Sequence, residues 1–170
     1  MVHSIYYAGD SDLEETIREL YDILAPGGVI LMVLMTDHTG HGKLLHTFPN
    51  IATKEQNSAS NDPSMVKSNR LILSADVKSI LDKHQIAYTQ SEYTDSLDIT
   101  KCFTGVDATT GNLLLDLLTE TLDFKASVSS TVYNQVMDFV KDHMSVRKNH
   151  QNDDEIYYFD TVNDILLITK

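Results

Sequence analysis

APGGVILMVLM, residues 25–35, is the stretch from which the fold can be read. Pro26 has no backbone N–H to continue a helical hydrogen-bond ladder, and Gly27 and Gly28 permit a tight turn, so a helix ends here. An unbroken apolar run, Val29 to Met35, comes next and is bounded by turn residues. That pattern predicts a strand buried on both faces, as in the interior of a parallel sheet. Upstream, Leu13, Ile17, Leu20, Tyr21 and Leu24 recur at helical spacing opposite Glu14, Glu15, Arg18, Glu19 and Asp22, and Ser11 with Glu14 reads as a capping box. Before that helix, VHSIYY is strand-like and AGDS turns the chain. Strand, amphipathic helix, Pro-Gly-Gly turn and strand make one βαβ unit whose crossover should be right-handed. The fold class is α/β.

Downstream the chain turns polar. Residues 36 to 69 carry DHTGHG, FPN and KEQNSASNDPS, which is loop chemistry, and 53–64 is expected to be the most mobile part. Ser74 is read as the cap of a helix with Val77, Ile80 and Leu81 on one side, and AYTQSEYT alternates as a half-exposed strand does. Leu114, Leu117, Leu118 and Leu122, then Val132, Val136, Phe139 and Val140, mark an added pair of amphipathic helices. EIYYFDTVNDILLITK looks like two strands about a turn at Thr161 to Asp164.

Composition narrows the function classes. At 170 residues, 42% apolar and 22% charged, the chain reads as a single globular domain spanning 1–170. Thirteen basic residues against 25 acidic give a net charge of −12, which repels nucleic acid and anionic membrane surfaces and leaves small molecules, cations and proteins as partners. No apolar run approaches bilayer length and no signal peptide is evident. With one cysteine, Cys102, a reducing cytoplasmic setting is the expectation, and the thiol is read as a small buried apolar group.

IYYAGD before the first helix, GKLL after the apolar strand, SADVKSILDK, SLDITKCF, GNLLLDLLTETLDFKA and the closing NDILLI, taken in order and spacing, resemble the histamine N-methyltransferases. The resemblance implies a partial Rossmann-like methyltransferase fold. It covers the C-terminal portion only, strands 4-5-7-6 of a sheet ordered 3-2-1-4-5-7-6. It also implies S-adenosylmethionine as cofactor, although the Gly-rich loop and ribose-binding acid of such enzymes have no match here. Gly27 and Gly28 lead from helix to strand, the wrong direction for a nucleotide loop, and Gly40 and Gly42 are poorly spaced. An unpaired edge on the first strand would then invite pairing with a second copy, giving a homodimer or higher oligomer.

By the same resemblance, Val2 would touch the adenine side of the cofactor. His3, Tyr6 and Tyr7 would line an amine pocket, Asn163 would hydrogen-bond the amine, and His41 and Leu45 stand where the family has two tryptophans. Aromatic walls suit a cationic or flat amine, and a neutral acceptor can orient its nitrogen toward a methyl donor. Read from the residues alone, Tyr6 and Tyr7 are packing residues at a strand end, and Asn163 beside Asp164 is a turn residue. His38, His41 and His46 lack a well-spaced third ligand for zinc, so no metal site is assigned. No catalytic residue is assigned either. Two functions fit: part of a small-molecule N-methyltransferase that is inactive alone, or a non-catalytic protein that reuses the fold to oligomerise or to bind a ligand or partner. A hydrolase finds no nucleophile elbow.

Overall fold

Every described strand pairs with the last one, and the sheet this produces decides where each functional side chain stands. The computed structural model describes residues 12–48, 71–105, 107–149 and 153–170. In chain order the elements are α1 (Leu13–Asp22), β1 (Val29–Met35), α2 (Gly40–Thr47), α3 (Ser74–Lys83), β2 (Tyr88–Asp98) and α4 (Lys101–Thr104). They continue with α5 (Ala108–Thr119), α6 (Phe124–Ser127), α7 (Ser130–His143), β3 (Ser145–Lys148) and β4 (Glu155–Thr169). Val2, His3, Tyr6, Tyr7, Ser11 and the 53–64 segment lie outside the described residues, and with them the expected first strand and its crossover.

β4 is the first correction. In place of a hairpin about Thr161 to Asp164, it runs as one continuous strand of 15 residues. A turn would have removed Asn163 and Asp164 from the ladder. Instead both are held in it, Asp164 opposite Leu34 and Glu92, Asn163 opposite Met35 and Tyr93. The second correction concerns β1. It pairs antiparallel with β4 and, among the described strands, no pairing is parallel. Of its apolar run only Met32 and Leu34 are buried, while Val29 is exposed. A single covered face therefore suffices to explain alternate residues of β1. The strand order β1-β4-β2 reproduces the 5-7-6 part of the expected order, with β3 added along the start of β4.

Two cores lie on opposite faces of this sheet. On one, Met32, Leu34, Leu166 and Ile168 pack with Leu13 and Ile17 of α1 and Val77 and Leu81 of α3. On the other, Phe159 packs with Leu44 of α2, Leu115 and Leu118 of α5, Phe124 of α6 and Val136, Met137 and Val140 of α7. The face alternation along β4 fixes this division: 164, 166 and 168 turn to the first core and 159 to the second.

Helix ends also differ from the sequence expectation. α1 begins after Asp12 at its N-cap, and Glu14 serves another purpose, meeting Lys83 Nζ at 2.8 Å and His84 Nε2 at 2.6 Å. Those contacts lower the Glu14 pKa, hydrogen bonding from Lys83 being the largest cause. Ser74 is not a cap but the first helical residue of α3; Leu73 is the N-cap, and its N–H donates to the Asp76 carboxylate at 2.9 Å. On α5 the buried residues are Gly111, Leu115, Leu118 and Thr119, so Leu117 faces outward and Leu122 falls beyond the helix. Gly27 adopts φ +76°, as the turn into β1 requires, and its N–H donates to Lys170 O at 2.9 Å.

Candidate functional site

Asn163 stands at a boundary. On its face of the sheet, Phe159 lies under the α2, α5 and α7 helices, whereas Val29, on the same face of β1, and Leu167 are exposed. The cross-strand row through it reads Met35, Asn163, Tyr93, three side chains on one face at neighbouring strand positions. Tyr93 is 55% exposed, so its ring is open beside the Asn163 amide. An amide that both donates and accepts, next to an aromatic face and a thioether, can hold a small amine or a flat heteroaromatic ring.

The opposite side of the strand holds this row in place. Asp164 is 0% exposed, yet its carboxylate accepts from Lys78 Nζ at 2.8 Å and from Gln90 Nε2 at 2.7 Å, with the Ser74 hydroxyl also donating. Burial pushes its pKa up, but the donors Lys78, Ser74 and Gln90 outweigh that, and the carboxyl lies below its ordinary value. The apolar context ILLI explains how an acid comes to be here: the strand's alternation places residue 164 inward whatever its type. Only a complete donor set makes that tolerable.

α2 forms the neighbouring wall. Gly40, at φ +43°, lies so close to β4 that a Cβ would overlap Asp160 O, and one on Gly42 would overlap Thr36 O. These glycines therefore seat α2 against the sheet. Their space is filled by backbone, so these two glycines do not form a cradle for a nucleotide. Val2, the residue that the resemblance assigned to the cofactor, lies outside the described residues.

His41 is half-buried, with Nε2 2.8 Å from Leu118 O, a distance at which Nε2 must carry the proton and donate. Burial lowers its pKa, so the neutral ring is the resident form. The imidazole thus ties α2 to α5. Leu45, also half-buried, lies one helical turn further along α2. Cys102 is half-buried against the second core, its thiol pushed up to about 11, chiefly by burial, which leaves it unreactive. Among the described residues no group of His, Cys, Asp or Glu is placed to hold a metal ion, and no helix is long and apolar enough to cross a membrane.

Of the residues assigned from sequence, the structure therefore brings Asn163 to an open surface beside α2, which carries His41 and Leu45. Tyr93, Met35 and the Asp164 set escape sequence reasoning. Alternation in β2 gives the face of Tyr93, but pairing 93 with 163 needs a register that no local pattern supplies.

No protein-family model matches the chain. It is 27% identical over 141 residues to histamine N-methyltransferase of Danio rerio, covering 83% of this chain and 44% of that protein. To histamine N-methyltransferase B of Xenopus laevis it is 28% identical over 137 residues, covering 81% of this chain and 42% of that one. The chain thus spans a little under half the length of these curated relatives. The backbone superposes on YcgJ of Bacillus subtilis with a TM-score of 0.45 at 17% identity, over 97% of this chain and 61% of that one. Over four-fifths of its length, this chain is similar in sequence to the histamine N-methyltransferases.

Proposed function

We propose that this chain provides the amine-binding part of an S-adenosylmethionine-dependent small-molecule N-methyltransferase, and that it does not bind the cofactor by itself. One observation carries the reading: Asn163 stands in an unbroken strand, beside the open Tyr93 ring, where the sheet passes from covered to uncovered. The similarity to histamine N-methyltransferases supports the substrate class, a small amine with a flat ring. Exposed Val29 and Leu167 on the same face are apolar surface that a further layer of structure would cover.

In this reading the amide oxygen of Asn163 accepts a hydrogen bond from the amine, and Tyr93 supplies the aromatic surface that His41 and Leu45 do not. The unprotonated amine nitrogen is then held in one direction, which is what in-line methyl transfer asks of the substrate side. A homodimer through the first-strand edge belongs to the same proposal.

Calorimetric titration of the chain with histamine and, separately, with S-adenosylhomocysteine tests it. Histamine should bind with a dissociation constant on the order of 1 mM, about 4 kcal/mol, and Asn163→Ala should weaken it at least fivefold. S-adenosylhomocysteine should show no saturable heat. Micromolar binding of S-adenosylhomocysteine would overturn the claim about the cofactor, and unchanged histamine binding by Asn163→Ala would overturn the site. The alternative, a non-catalytic ligand-binding protein, would show the histamine result and no methyl transfer when a cofactor-binding partner is supplied.

A further inference from the structure

A surface helix normally turns one apolar side inward and a polar side to water. α5 does not. Its inner side, Gly111, Leu115 and Leu118, packs on the second core, yet Leu113 and Leu117, one turn apart on the outer side, are 62% and 57% exposed. Leu122, just beyond the helix, is 85% exposed. Three large apolar side chains thus lie open within ten residues of chain.

Their surroundings are acidic. Asp116, Glu120 and Asp123 border the leucines. The Asp116 carboxylate accepts from the backbone N–H groups of Asp123 and Phe124, at 3.0 and 2.9 Å. The nearby cations are otherwise engaged: Lys101 pairs with Asp107 at 3.1 Å, and Lys125 lies 5.8 Å from the centre of the Tyr133 ring. The outer side of α5 is therefore an apolar stripe with a negative border.

We propose that this stripe docks an amphipathic helix of a partner protein whose apolar residues are flanked by Lys or Arg. Leucines one turn apart offer the anchor spacing of helix-in-groove recognition, and the acids select the sign of the flanks. A second copy of this chain is a poor occupant of this stripe, because it would bring the same acids, Asp116, Glu120 and Asp123, to the border.

The test uses the full chain and a synthetic amphipathic helical peptide with leucines at helical spacing and lysine flanks, followed by fluorescence anisotropy. The lysine peptide should bind saturably, Leu113→Ser with Leu117→Ser should weaken it about tenfold, and Glu120→Gln with Asp123→Asn should weaken it about threefold while reducing its salt dependence. Both replaced leucines are exposed, so circular dichroism should show both double variants folded. Equal affinity of the serine variant, or equal binding of a peptide with glutamate flanks, would overturn the proposal. So would sedimentation showing that the unmodified chain self-associates and the serine variant does not.

Discussion

Replacing Lys78 with Met should expose how much of the sheet rests on one buried carboxylate. Asp164 is fully enclosed, and the Lys78 ammonium meets it at 2.8 Å as its cationic partner. Removing one member of a buried pair typically costs about 3–5 kcal/mol, because an uncompensated charge is left behind. Lys78 is itself a quarter exposed, and Gln90 and Ser74 still donate, so the loss should be about 2–3 kcal/mol. For a chain of this length that is a fall in Tm of roughly 4–12 °C. Asp164→Leu removes the acceptor and lets Lys78 turn to water, so the double variant should be more stable than Lys78→Met alone, with a coupling of about 1–3 kcal/mol. Urea unfolding followed by circular dichroism gives all three values. A loss below about 0.5 kcal/mol for Lys78→Met, or strict additivity in the cycle, would refute the reasoning.

Other expected outcomes rest on single residues. Acid should destabilise the protein in two steps. The folded pKa of His41 lies below its unfolded value near 6.5, so the unfolded chain takes up more protons and stability falls as pH drops below about 6.5. The depressed pKa of Asp164 gives stability present above about pH 4 and lost as pH falls through its folded value. His41→Gln, which keeps a donor for Leu118 O, should abolish the first step while leaving the second in pH-dependent Tm measurements. Thr36 is buried and its hydroxyl has no partner among the described residues, so the isosteric Thr36→Val should raise stability by about 1 kcal/mol in urea titration. Gly40→Ala should cost more than about 3 kcal/mol or prevent folding, since its Cβ would overlap Asp160 O, and unchanged Tm would contradict the seating of α2.

Much of the fold is legible in the sequence because it is written in local periodicity. The apolar run after Pro26, the helical spacing from Leu13 and the alternation after Ala87 each place an element within a few residues of its observed bounds. The illegible parts depend on distant partners. Asn163 and Asp164 together look like a turn, and only pairing with Met35 and Leu34 on one side and Tyr93 and Glu92 on the other shows why the strand continues through them. Ser74 looks like a cap because caps are local; its hydroxyl is instead drawn to the carboxylate of Asp164, far along the chain. The leucines of α5 mislead for a related reason. Helical spacing identifies faces, but which face meets the core depends on what the helix packs against. For the site, Asn163 is reached through resemblance, while its neighbour Tyr93 needs the register.

The most direct test of the amine site is a titration of the isotope-labelled chain with histamine, read as amide and side-chain shifts by nuclear magnetic resonance. Saturable shifts should concentrate at Asn163, Tyr93 and Met35, with the Asn163 side-chain amide among the most affected, and should disappear in Asn163→Ala. Shifts scattered over the acidic surface without saturation, or a saturable set that leaves the Met35, Asn163 and Tyr93 row unmoved, would contradict the amine site.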